Sequence, residues 1–122
     1  MRRGFPAAML AALVLGVSAA GCGSASTAAP DPVSAPPDAI VIDILGINGA
    51  RSFSPNPMTV APGRTVVWHN LDFDTHRIVL DGGALDTGDI SPGHYSGPMV
   101  LGASGGYHCA IHPVMVGTIR GN

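Results

Sequence analysis

The chain has 122 residues, of which 46% are hydrophobic and only 11% are charged. It contains neither lysine nor glutamate, so six arginines stand against eight aspartates and the formal net charge is −2. Because the sequence has no basic cluster of the kind that binds phosphate backbones, we do not expect nucleic acid as a partner.

The N-terminal residues have the pattern of an export signal. Two arginines precede an apolar run of about fourteen residues, shorter than the roughly 20 residues of a membrane-spanning helix. Ala19-Ala20-Gly21-Cys22 follows and resembles a bacterial lipobox, whose cysteine becomes lipidated. We therefore predict a lipoprotein-type signal peptide at 1–21 and a lipid anchor at Cys22. The alternative is an ordinary secretory signal, with Cys22 lost or left free.

Export places the protein in the periplasm or on the outer face of the cytoplasmic membrane. Small residues and proline dominate 22–38, a composition typical of a flexible tether. The segment 39–122 has about 84 residues, which suits one small domain with a single core. Without the signal, four arginines stand against eight aspartates, a net charge near −4. Such an acidic surface favours a basic docking partner.

Short apolar runs separated by glycine and proline predict a series of strands in this domain. In the strand 64–69, Val66 and Trp68 are expected to face the core and His69 the solvent. The aspartates between 81 and 89 are interpreted as part of solvated turns. The other strands are predicted at 39–46, 58–60, 76–80, 94–100, 106–109 and 115–119. Several short strands at this spacing indicate an antiparallel β-sandwich or barrel.

Four side chains carry the chemistry. Cys109, His112 and Met115 follow one another at three-residue spacing, and His76 lies on a separate predicted strand. A thiolate, two imidazoles and a long axial thioether form the ligand set of a blue-copper site. The set suits both Cu(I) and Cu(II), and therefore one-electron transfer. Zinc fits only three of the four ligands, since methionine binds zinc poorly.

The segment Tyr107-His-Cys-Ala-Ile-His-Pro-Val-Met-Val-Gly117 resembles the copper loop of the cupredoxins. Its two-residue gap between His112 and Met115 is similar to the short loop of amicyanin, and the group of amicyanin and plastocyanin is the most similar. Further similar motifs lie upstream, namely Phe53-Ser-Pro, Val60-Ala-Pro-Gly63 and Val67-Trp-His-Asn-Leu-Asp72. The resemblance implies a small, all-β, antiparallel Greek-key β-sandwich that binds one copper ion. It also implies that His112 and Pro113 lie at a surface where electrons enter and leave.

One departure from this family lies beside the first ligand. The family carries an asparagine after this histidine, and its side chain braces the cysteine loop; this chain has Arg77 there. Because a guanidinium cannot accept hydrogen bonds, we expect an altered reduction potential or a looser site.

The remaining histidines and cysteine have alternative interpretations. His69, His94 and His108 are predicted to lie outside the metal site. A disulfide between Cys22 and Cys109 is permitted in an export compartment, but it would remove the thiolate ligand.

Together these features predict an exported, monomeric protein that carries single electrons between a donor and an acceptor protein by Cu(I)/Cu(II) cycling. The protein fills all four coordination positions and leaves none for a substrate, which argues against an enzyme. One alternative is a copper carrier or buffer in copper homeostasis, without electron transfer. Another is an interaction domain with a vestigial metal site.

Overall fold

A computed structural model describes residues 32–102 and 104–121. The predicted signal peptide, Cys22 and residues 22–31 of the tether lie outside the described residues. The described part contains a short 3-10 helix at Gly49–Arg51 and nine strands. The strands are β1 (Ile40–Ile44), β2 (Phe53–Ser54), β3 (Met58–Val60), β4 (Thr65–Asn70), β5 (His76–Leu80), β6 (Asp86–Ile90), β7 (Met99–Val100), β8 (Gly105–Cys109) and β9 (Val116–Gly121). Within these two ranges, no helix has the length and apolar character needed to cross a bilayer.

The strands form two sheets, ordered β2-β1-β4-β7 and β3-β9-β8-β5-β6. The predicted β-sandwich is confirmed. Most neighbouring pairs are antiparallel, as expected, whereas β1 pairs with β4 and β3 pairs with β9 in parallel. Parallel neighbours are joined by long connections rather than hairpins, and the alternation within one strand does not reveal such distant partners.

Three strands differ from the prediction, and the first of them, β2, was not predicted as a strand at all. The segment Asp86–Ile90 forms β6 and not a solvated turn, although Ile90 is its only fully buried side chain. Its remaining residues are polar or glycine, so it lacks the apolar alternation by which strands are recognised. Strand β7 is restricted to Met99–Val100, while the predicted strand began at residue 94.

The core lies between the two sheets, and an aromatic trio ties them together. Val66 and Trp68 are both fully buried, as predicted. The ring of Tyr107 packs edge-on against Phe53 at 4.8 Å and against Trp68 at 5.5 Å between centroids. Phe53 and Trp68 belong to one sheet and Tyr107 to the other, so burial of these rings holds the sheets face to face. Burial also raises the pKa of the Tyr107 hydroxyl above its ordinary value.

Gly117 offers a test of this packing, because a Cβ at that position would overlap the Tyr107 ring. We expect Gly117→Ala to lower the free energy of unfolding by about 1–3 kcal/mol, the usual cost of overpacking a core. Denaturant titration of the metal-free protein measures the loss. The control is Gly105→Ala on β8, where a Cβ meets nothing within 4 Å. Equal stabilities of the two variants would contradict the assigned packing.

Candidate metal centre

The pairing of β5 with β8 positions the first two candidate ligands. His76 begins β5, Cys109 ends β8, and Ile78 lies opposite Cys109 in this antiparallel pair. Side chains two residues apart on a strand share a face, so His76 and Ile78 both point inward with Cys109. All three are fully buried. The result is a distance of 3.7 Å between Cys109 Sγ and His76 Nδ1.

The other two candidate ligands arrive on the loop between β8 and β9. Met115 N–H donates to the carbonyl of His112 at 3.0 Å, and Cys109 N–H donates to the carbonyl of Met115 at 3.1 Å. These bonds fold the loop back onto the end of β8. His112 Nδ1 lies 3.8 Å from Cys109 Sγ, and its ring meets that of His76 edge-on at 5.2 Å. Met115 is fully buried, whereas His112 is half-buried.

The geometry of these donors fits a metal. One donor atom each from His76, Cys109 and His112 lies within 4.8 Å of the others. Bonds of about 2.0 Å to nitrogen and about 2.3 Å to sulfur that meet at about 120° separate the two donors by about 3.7 Å, whereas a tetrahedral angle gives about 3.5 Å. The observed sulfur–nitrogen distances are 3.7 and 3.8 Å. Both distances allow a single ion to bind the sulfur and the two nitrogens, and the preference for copper over structural zinc rests on the methionine in the candidate ligand set.

Asp72 is a site residue that sequence reasoning missed. Its Oδ2 lies 2.9 Å from His76 Nε2, and its Oδ1 accepts the N–H of Phe73 at 2.8 Å. Burial disfavours its ionised form, but the hydrogen bonds from His76 and Phe73 outweigh burial and hold the pKa of Asp72 below its ordinary value. A carboxylate on the far nitrogen fixes the histidine tautomer and leaves Nδ1 free to bind metal. The only signal in the sequence was an aspartate four residues before a candidate ligand.

Replacing Asp72 tests this positioning role. We expect Asp72→Asn to weaken Cu(II) binding by about 10–100-fold, the usual effect of losing such a partner of a ligating histidine. Competition with a chelator of known affinity measures the change. The control is Asp74→Asn, which removes the same charge from an exposed neighbour. The role would be disproved by equal affinities of the two variants.

Arg77 contacts the cysteine through its backbone. Its N–H donates to Cys109 Sγ at 3.5 Å, and its carbonyl accepts the N–H of Ala110 at 2.7 Å. Its guanidinium turns away and pairs with Asp86, through Nε at 2.9 Å and Nη2 at 2.6 Å. The cysteine loop is therefore held by the main chain of β5, without the asparagine side chain found in the family. The altered reduction potential expected from Arg77 stays a prediction.

The Arg77–Asp86 pair lies where the pairing of β5 with β6 is irregular. The register between β5 and β6 shifts between Arg77 and Val79, and Gly88 there has φ +67°, a conformation that favours glycine. Asp86 Oδ1 also accepts the N–H of Gly88 at 2.9 Å. The hydrogen bond from Arg77, followed by that from Gly88, lowers the pKa of Asp86 to about 2.

This shift predicts a pH dependence of stability. Because the folded pKa lies below the unfolded value of about 3.9, the contribution of Asp86 is fully present above about pH 4 and is lost as the pH falls towards 2. Asp86→Asn should flatten the decline in the free energy of unfolding over this range. The effect should be modest, because the pair is exposed and screened. Urea titrations of the metal-free protein at several pH values measure this decline in the free energy of unfolding. The control is Asp89→Asn on the same strand. An equal dependence of unfolding free energy on pH in the two variants would count against the Arg77–Asp86 pair.

The histidines outside the cluster have other contacts. The expectation that His69 is exposed was wrong: its ring is half-buried, stacks on Tyr95 at 4.0 Å and lies 3.3 Å from Asp43. His108 points outward as predicted, with Nδ1 2.7 Å from Asp81 Oδ1. Among residues 32–102 and 104–121, the one group of three with metal-ligating geometry is the cluster of His76, Cys109 and His112. Cys109 is a free thiol there, and its alternative partner Cys22 lies outside the described residues.

The two packed sheets have the cupredoxin fold, as predicted, and the cluster of His76, Cys109 and His112 lies at one end of the sandwich. Solved structures of amicyanin are similar to it. The Cu(I) form of one amicyanin variant is 22% identical with a TM-score of 0.64, over 76% of this chain and 91% of that one. The oxidised form of a second variant is 22% identical with a TM-score of 0.63, over 75% and 90%. At these identities the likeness shows the fold, and comparisons with family profiles and with curated proteins yield no match.

Proposed function

We propose that this protein is a mononuclear blue-copper electron carrier. The observation that carries the proposal is the buried cluster, in which two imidazole Nδ1 atoms lie 3.7 and 3.8 Å from one cysteine sulfur. His76, Cys109 and His112 would hold the ion, with Met115 as the weaker fourth ligand. Copper bound there supplies a one-electron Cu(I)/Cu(II) couple. The similar amicyanin structures include a Cu(I) form and an oxidised form, which supports such a couple on this fold.

The protein's part in this function is to keep the ligands in one arrangement. His76 is held by Asp72 on its outer nitrogen, and the cysteine sulfur accepts the N–H of Arg77. His76, Cys109 and Met115 are fully buried in the core. A site that is fixed by its surroundings changes little between oxidation states, which favours fast electron transfer. A hydrogen bond to the sulfur and exclusion of water also tune the reduction potential.

Electrons are proposed to enter and leave at His112. Its ring is half-buried, while the flanking Ile111, Pro113 and Val114 are exposed. The imidazole is thus the ligand that approaches the surface within an apolar rim. This arrangement supports the role expected for His112 and Pro113.

The same features weigh against the rival functions. Copper carriage requires the ion to leave, yet three of the four candidate ligands are fully buried and two are braced by hydrogen bonds. Catalysis requires an open coordination position, and the proposed set of three strong ligands and Met115 would leave none.

We also propose that the protein works outside the cytoplasm as a monomer, exchanging electrons with a donor and an acceptor protein. The supporting features are the signal pattern at 1–21, the lipobox-like Cys22 and the tether at 22–38, ahead of the copper domain at 39–122. Mass spectrometry of the mature N-terminus tests this: a lipid-modified Cys22 supports anchoring, and an unmodified N-terminus elsewhere excludes it.

Addition of Cu(II) to the folded protein tests the function. We expect intense orange-red absorption and a narrow copper hyperfine splitting in the EPR spectrum, because the thiolate shares electron density with the ion. Cys109→Ser should abolish the colour, while Met115→Leu should keep it and shift the reduction potential. A well-folded sample that stays colourless with Cu(II) would refute the proposal, and ready transfer of Cu(I) to a metal-free acceptor would favour the carrier.

A further inference from the structure

The loop at 71–75, which joins β4 to β5, carries the most exposed large apolar side chain of the described residues. Phe73 is 95% exposed. Three other apolar side chains are about half exposed, namely Leu71 in the same loop and Leu45 and Ile47 in the turn after β1. The turn with Leu45 and Ile47 lies against this loop, since a Cβ at Gly46 between them would lie 3.8 Å from Asp72 Oδ1.

This loop is held rigidly rather than left free to fold Phe73 inward. The fully buried Asn70 donates from Nδ2 to the carbonyls of Asp74 at 2.7 Å and Ile90 at 2.9 Å. Its Oδ1 accepts the N–H of Asp72 at 3.0 Å. The N–H of Leu71 donates to the carbonyl of Ile44 at 3.0 Å. An aromatic side chain has only two rotatable bonds, so on a fixed backbone it loses little conformational freedom when a partner covers it, which suits a binding hot spot.

The charged residues of this loop are both aspartates. Asp72 and Asp74 flank Phe73, and no arginine occurs in the loop. The nearest arginine in sequence, Arg77, is paired with Asp86. Carboxylates beside the exposed Phe73 side chain attract a cationic surface and repel an anionic lipid surface or a second copy of the same loop.

The loop is also connected to the metal centre. The N–H of Phe73 donates to Asp72 Oδ1, and Asp72 Oδ2 lies 2.9 Å from Nε2 of the ligand His76. One carboxylate therefore joins the backbone of the exposed aromatic residue to a ligand. A partner seated here would stand next to the His76 side of the site.

We propose that the loop at 71–75, with Phe73 as its anchor, docks a redox protein that presents an apolar cleft bordered by lysine or arginine. This inference rests on the proposed electron-transfer function and extends the docking surface beyond His112 and Pro113. Apolar contact with Phe73 would supply most of the binding affinity, and the charge of Asp74 would steer the encounter.

Electron transfer from a reduced, lysine-rich c-type cytochrome to the full exported protein loaded with Cu(II) tests the proposal. We expect Phe73→Ser to lower the second-order rate constant by about tenfold or more, as for loss of a hot-spot side chain. Asp74→Asn should reduce its dependence on ionic strength. The control is Val100→Ser on β7, where an apolar side chain is 66% exposed, and its rate should equal that of the wild type. An unchanged visible spectrum shows that each variant is folded and loaded.

Chemical-shift mapping with the same cytochrome locates the contact independently of copper, since it works on metal-free protein as well. Shifts centred on 71–75 that vanish in Phe73→Ser support the proposal. An equal rate for Phe73→Ser and wild type, or shifts confined to 111–114, would overturn it, as would binding of the loop to anionic vesicles or self-association through it. Failure of the wild type to bind copper would refute the electron-carrier function instead, and would leave the mapping result to decide the docking.

Discussion

The pairing of β5 with β8 sets Ile78 opposite Cys109, and the metal centre depends on that register. It puts the sulfur and the ring of His76 on the inner face, at the end of the core where the loop with His112 and Met115 turns back. A slip of one residue would move Cys109 to the outer face and bring His108 inward, because side chains alternate along a strand. Burial of Tyr107, two residues before Cys109, penalises such a slip, since its ring packs against Phe53 and Trp68.

Residues that precede and follow His76 in the sequence supply the hydrogen bonds to the candidate ligands. Asp72 reaches its outer nitrogen from the preceding loop, and Arg77, the next residue, offers its N–H to the cysteine sulfur. The side chain of Arg77 is then free to fasten β5 to the irregular strand β6 through Asp86. The main chain of Arg77 thus supports the cysteine loop, and its side chain binds the edge strand of the sheet.

Two features of the same end of the sandwich link the centre to its surroundings. His112 approaches the surface between exposed apolar residues, and Phe73 stands fully in solvent on a loop held by the buried Asn70. Rigidity serves both features. In the proposed electron carrier, a rigid site would change little between oxidation states, and a fixed loop would present Phe73 to a partner at little cost in conformational entropy.

Spacing and alternation are local properties of the chain, and they sufficed to name the four candidate ligands and to predict the β-sandwich and the burial of Val66 and Trp68. Strand β6 escaped prediction, since its polar residues and glycine carry no apolar period. The stacking of His69 on Tyr95 and the parallel pairs of β1 with β4 and β3 with β9 join segments far apart in sequence. The contacts of Asp72 with His76 and of Arg77 with Asp86 were likewise decided only by tertiary structure, because a hydrogen bond needs two groups within about 3 Å, and strand pairing sets that distance.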